Sequence, residues 1–86
     1  MISPESVAVV DRFFLSLESL KDQRLIRGKA TFCKLYGINR RNLYKIEMNR
    51  ESLAFQLCWL SYLVTGFGIS ADWLLTGKGE MFKKAK

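Results

Sequence analysis

No histidine occurs anywhere in the 86 residues, proline occurs once and cysteine twice. Without histidine the commonest general base and the commonest metal ligand are missing together. With them go most of the nucleophile–base pairs on which covalent catalysis relies. Cys33 and Cys58 lie far apart with no CxxC spacing, so they supply too few ligands for structural zinc. Both sit in apolar helical contexts and are expected to be buried thiols acting as small hydrophobes. No acid pair converges, and Gly77-Lys78-Gly79 lacks the spacing and preceding strand of a phosphate loop. The sequence therefore points away from an enzyme, with no metal, cofactor or small-molecule substrate expected.

Long hydrophobic runs are also missing. The longest, Leu53 to Ile69, is interrupted by Gln56, Ser61, Thr65, Gly66 and Gly68, which suits a core helix better than a membrane span. The start, Met1-Ile2-Ser3-Pro4-Glu5, has neither the basic residues nor the apolar run of a signal peptide. A cytoplasmic protein with no membrane partner is the expectation. The length fits one domain, placed at residues 1–82, with Lys83, Lys84 and Lys86 as a frayed basic tail over 83–86. So small a domain buries a limited share of its surface, which makes a partner subunit unsurprising.

What is present is an ordinary globular composition, 49% hydrophobic and 26% charged, with an uneven charge distribution. From Arg24 to Arg50 run eight basic residues against one acid, Glu47, a net +7 where the whole chain carries +6. The remainder holds six basic and seven acidic residues. A solubilising surface mixes its signs along the chain, whereas a concentrated basic segment is the footprint of a polyanion, nucleic acid first. Anionic membrane surfaces share that footprint.

Periodicity and capping residues divide the chain into about five short helices and no strand, an all-α bundle. Ser3-Pro4-Glu5 opens a first helix that runs to about Leu20, with Val7, Val10, Phe14 and Leu17 on its buried face and Asp11, Arg12, Glu18 and Asp22 opposite. After Gly28 a short helix runs from Lys29 to about Leu35 and stops at Gly37. Asn39 caps a third helix that reaches about Met48. A fourth spans roughly Leu53 to Thr65 and ends at Gly66-Phe67-Gly68. Ser70 caps a fifth, closed by Gly77. Trp59 and Phe67 are expected in the core.

Two short helices joined by a tight turn can cross steeply only if particular positions are filled correctly. Phe32 and Tyr36 supply the apolar pair of the first helix and Cys33 its small contact. Gly37 turns the chain, Ile38 anchors the turn, and Leu43 and Ile46 bury the second helix. This stretch resembles the helix-turn-helix of the lambda-repressor-like superfamily, the Cro-type or Xre-type regulators of phages and bacteria. The likeness takes in the Ile46-Glu47 pair and the closing segment Gly68-Ile69-Ser70-Ala71-Asp72-Trp73-Leu74-Leu75-Thr76-Gly77. Cys33 stands where alanine is usual, and Asn49-Arg50-Glu51 where a glycine-containing loop is common. The resemblance implies five helices and a sequence-specific DNA-binding transcriptional regulator, in all expectation a repressor, with double-stranded DNA as partner.

Physics separates the two sides of the helix that follows Asn39. At about 100° per residue, Arg40, Arg41, Tyr44, Lys45 and Met48 share one face, while Leu43 and Ile46 lie opposite. Arg40 and Arg41 occupy the first turn, where the helix dipole disfavours each cation by about 0.3–1 kcal/mol. A local rule broken without visible compensation marks function. Base contacts are therefore expected from Asn39, Arg40, Arg41, Tyr44 and Lys45. Phosphate contacts are expected from Arg27, Lys34, Asn42 and Arg50, and the resemblance adds Lys29. Related regulators bind as two-fold dimers, and Trp73, Leu74 and Phe82 are the expected interface of a homodimer. Two alternatives remain open at this stage: a protein-interaction adaptor or antitoxin on the same fold, and a non-specific nucleic-acid binder.

Overall fold

A computed structural model describes residues 4–50 and 55–82. Five helices appear among them: α1 (Pro4–Asp22), α2 (Lys29–Tyr36), α3 (Arg40–Met48), α4 (Leu57–Phe67) and α5 (Ala71–Thr76). Among the described residues there is no strand, only an isolated antiparallel bridge between Ile69 and Phe82. None of these helices is long and apolar enough to cross a membrane. The expected cap Ser3 and the basic tail over 83–86 lie outside the described residues.

The long α1 is the floor on which the others sit. Its apolar residues recur at three- and four-residue steps, so Val10, Phe13, Phe14, Leu17 and Leu20 form one buried stripe. Phe13, which the expected face omitted, is the hub. Its ring lies edge-on to Phe14, Phe32 and Phe55, at centroid distances of 5.1, 5.8 and 5.2 Å. Buried Ser16 satisfies its hydroxyl locally, donating to the Arg12 carbonyl at 2.9 Å.

Each short helix is bounded by local chemistry. Asn39 caps α3 through a side-chain oxygen that accepts the Arg41 amide, and Ser70 caps α5 by accepting the Trp73 amide. Gly37 closes α2 at φ 66°, and the Ile38 amide reaches back to the Cys33 carbonyl at 2.9 Å. That left-handed residue lets α3 leave α2 at an angle after only Gly37, Ile38 and Asn39.

Several expectations change. The fourth helix starts at Leu57, not Leu53; Phe55 and Gln56 are not helical, and residues 53–54 lie outside the described range. Phe55 instead turns its ring against Phe13 and Trp59, a packing that an extended approach allows. Cys33 is buried but Cys58 is exposed, because it falls on the outer face of α4. Arg12, expected in solvent, is half-buried, and its Nε donates to the Leu74 carbonyl at 2.7 Å, joining α1 to α5. Trp59 is buried as expected, and Phe67 packs half-buried against the core.

Candidate nucleic-acid interface

The turn between α2 and α3 sets where α3 points. Leu43 (3% exposed) and Ile46 (0%) face the core, joined there by Phe32 and Cys33 from α2, while half-buried Tyr36 and Ile38 pack against the same cluster. The seven residues expected to form the scaffold are thereby brought together: Phe32, Cys33, Tyr36, Gly37, Ile38, Leu43 and Ile46. Tyr36 also stacks on Tyr62 of α4, with ring centroids 4.3 Å apart and planes 6° from parallel. Gly66 accommodates that stack, since a Cβ there would come within 2.3 Å of the Tyr36 hydroxyl.

With Leu43 and Ile46 turned inward, helical geometry forces Arg40, Arg41, Tyr44, Lys45 and Met48 outward, and all five are exposed. Tyr44 and Met48 are 61% and 68% exposed, so this basic face carries apolar atoms beside its charges. An open groove of about 930 Å³ runs between α2 and α3, lined by Lys29, Cys33, Arg40, Arg41, Tyr44 and Lys45, among others. Cys33 forms part of its floor. Burial pushes that thiol above its ordinary value, with the nearby Arg40 guanidinium pulling the other way.

The described residues contain two ion pairs: one lines this groove, and the other lines a neighbouring depression that shares Lys29 and Glu47 with it. Lys29 Nζ pairs with Glu47, and Arg50 Nη1 pairs with Asp11 of α1 at 2.8 Å. Arg50 is further fixed: its Nε donates to the Glu47 carbonyl at 3.0 Å, and its guanidinium lies 4.5 Å over the Phe14 ring. Arg27, Lys34, Arg40, Arg41 and Lys45 take part in neither pair, and each is exposed.

The ten residues expected to touch nucleic acid therefore fall into distinct groups. Arg40, Arg41, Tyr44 and Lys45 share one outward face. Asn39 sits at its start, with Oδ1 committed to the helix cap at 2.8 Å. Asn42 is half-buried at the edge of that face, toward Ile46. Lys34 is on α2, and Arg27 is in the loop between α1 and α2. Lys29 lines the groove and Arg50 the neighbouring depression, but both already hold carboxylates. Sequence reasoning missed the part of Glu47, whose only signal was its solitude among eight basic residues.

The expected dimer surface is not brought together as drawn. Leu74 is 1% exposed and belongs to the core, since α5 turns it toward α1. Trp73 and Phe82 are half-buried and pack against the same core, and the exposed large side chain on α5 is Leu75. The chain matches no protein-family model, no curated protein and no solved structure.

Proposed function

We propose that this chain is a sequence-specific DNA-binding regulator of transcription that lays α3 in the major groove, in the manner of a helix-turn-helix. The observation that carries the proposal is the outward face of α3. Two arginines occupy its first turn against the helix dipole, they take part in neither ion pair, and an exposed tyrosine and methionine lie beside them. A face kept merely for solubility would carry acids in that turn. A surface that meets DNA has use for the arginines, Tyr44 and Met48 alike: guanidinium groups for base edges or phosphates, and apolar atoms for sugars and thymine methyls.

Arg27 and Lys34 extend the cationic surface beyond α3, where they would position the domain on the backbone without reading sequence. The experiment is selection of binding sites from a random double-stranded pool, followed by affinities for the selected and for random DNA at one stated salt concentration. A specific regulator enriches a defined sequence and prefers it about 10³-fold or more. A two-fold symmetric site would indicate that two chains bind together. Failure to enrich any sequence, with equal affinity for all DNA, would overturn the proposal.

A further inference from the structure

The hydrogen-bonding character of the α3 face is one-sided. Arg40, Arg41 and Lys45 are donors with no acceptor atom. Tyr44 is the only exposed residue among them whose side chain can accept. The residues able to accept and donate from two adjacent atoms are the asparagines, and neither is placed to read a base pair with its whole amide. Asn39 holds its carbonyl oxygen on the Arg41 amide, because that bond caps the helix. Asn42 is half-buried on the side facing Ile46. The one carboxylate of the helix, Glu47, lies on the opposite border and is paired with Lys29.

Base pairs differ in the major groove by the pattern they present. Guanine offers two acceptors, O6 and N7. Adenine offers N7 beside an amino donor, and cytosine offers an amino donor alone. Two-point recognition of adenine needs a group that accepts and donates side by side, which this face withholds. A donor-only face set against adenine or cytosine puts donor against donor. Set against guanine, every lone pair finds an N–H.

We infer that the site reads guanine: Arg40 and Arg41 each engage the O6 and N7 of one guanine, so that a half-site carries two guanines on either strand. This inference rests on the proposed insertion of α3 in the major groove and assigns what that helix recognises there. Asn39 takes a structural part, fixing the first turn from which both arginines project.

The test uses the full chain and the sequence enriched by selection. Each guanine of that sequence is replaced singly by 7-deazaguanine, which keeps base pairing and O6 but exchanges the N7 acceptor for C–H. Each adenine is replaced by 7-deazaadenine in a parallel series. Two guanines per half-site should each lose roughly tenfold in affinity when N7 is removed, while the adenine series stays flat. Arg40→Ala and Arg41→Ala should each abolish sensitivity at a different one of the two guanines. Both side chains are exposed, so circular dichroism of the variants should match the parent. If a sequence enriches yet tolerates 7-deazaguanine throughout, or responds only to 7-deazaadenine, the guanine assignment is overturned and the DNA-binding proposal stands. If no sequence enriches, both fall.

Discussion

Arg24 is the one described non-glycine residue with a positive φ, at 61°. It ends α1 with two reversed bonds: its own amide reaches the Lys21 carbonyl at 3.0 Å, and the Leu25 amide reaches Leu20 at 2.9 Å. That pattern is the terminator normally built on glycine, and here it is built on arginine. A side chain in this conformation costs about 1–2 kcal/mol, partly offset by the freedom a glycine would carry in the unfolded chain. Arg24→Gly should therefore stabilise the fold by about 0.5–1 kcal/mol, which for a domain of this size raises Tm by about 2–8 °C. Thermal unfolding followed by circular dichroism checks this, and a lowered Tm would mean that the Arg24 side chain contributes more than its backbone costs. The same residue explains a small mismatch in the first helix. Its sequence signal fades near Leu20, whereas the helix persists to Asp22, because nothing about arginine announces a left-handed stop.

Where an element is bounded by chemistry within its own few residues, its limits were legible in the sequence. Asn39, Ser70, Gly37 and Gly77 act on amides and carbonyls a few positions away: Gly37 ends α2, Asn39 starts α3, and Ser70 and Gly77 bound α5. The start of α4 was not legible, because no side chain caps it and Phe55 leaves the helical path for a ring contact with Phe13, far away in sequence. The outward face of α3 was legible as well, since period alone separates Leu43 and Ile46 from Arg40, Arg41, Tyr44 and Lys45. What lies on that face was not fully so. Pairing between α2 and α3 depends on how the two helices cross, and it places Glu47 on Lys29. The consequence is specific. With side chains 38% and 29% exposed, this ion pair is worth only about 0–1 kcal/mol to the fold, yet it occupies a cation at the rim of the groove. Glu47→Gln frees the ammonium while keeping the shape and the carbonyl that Arg50 uses. On random duplex DNA the variant should bind several-fold more tightly, with a salt dependence steeper by about 0.9 in log–log slope, the share of one added phosphate contact. Fluorescence anisotropy across a salt series measures both, and unchanged values would place Lys29 away from the backbone.

At the scale of the whole molecule, charge is sorted rather than spread. The segment from Arg24 to Arg50 carries the entire positive excess, and α4 contains no charged residue at all. Glu47, the acid that lines the groove, is held by Lys29, and Asp11 in the neighbouring depression by Arg50. On the proposed function, the positive excess would steer a polyanion toward this segment. Among the exposed cations outside the ion pairs, the five proposed to meet DNA (Arg27, Lys34, Arg40, Arg41 and Lys45) set the scale of the salt effect. If Arg40 and Arg41 hold bases and Arg27, Lys34 and Lys45 meet phosphates, one bound chain gives a slope of log affinity against log salt no steeper than about −3. Two chains on one site double it. The burial of Leu74 makes that distinction informative, because it removes the centre of the expected dimer surface and leaves Leu75, with half-buried Trp73 and Phe82, as the apolar side chains available there. Affinity for the selected site, measured between about 50 and 200 mM salt, therefore counts chains as well as contacts. A slope within the single-chain range assigns binding to a monomer, and one beyond about −5 requires a second subunit. A slope near zero would leave no phosphate engaged, and the cationic face of α3 would then need a partner other than nucleic acid.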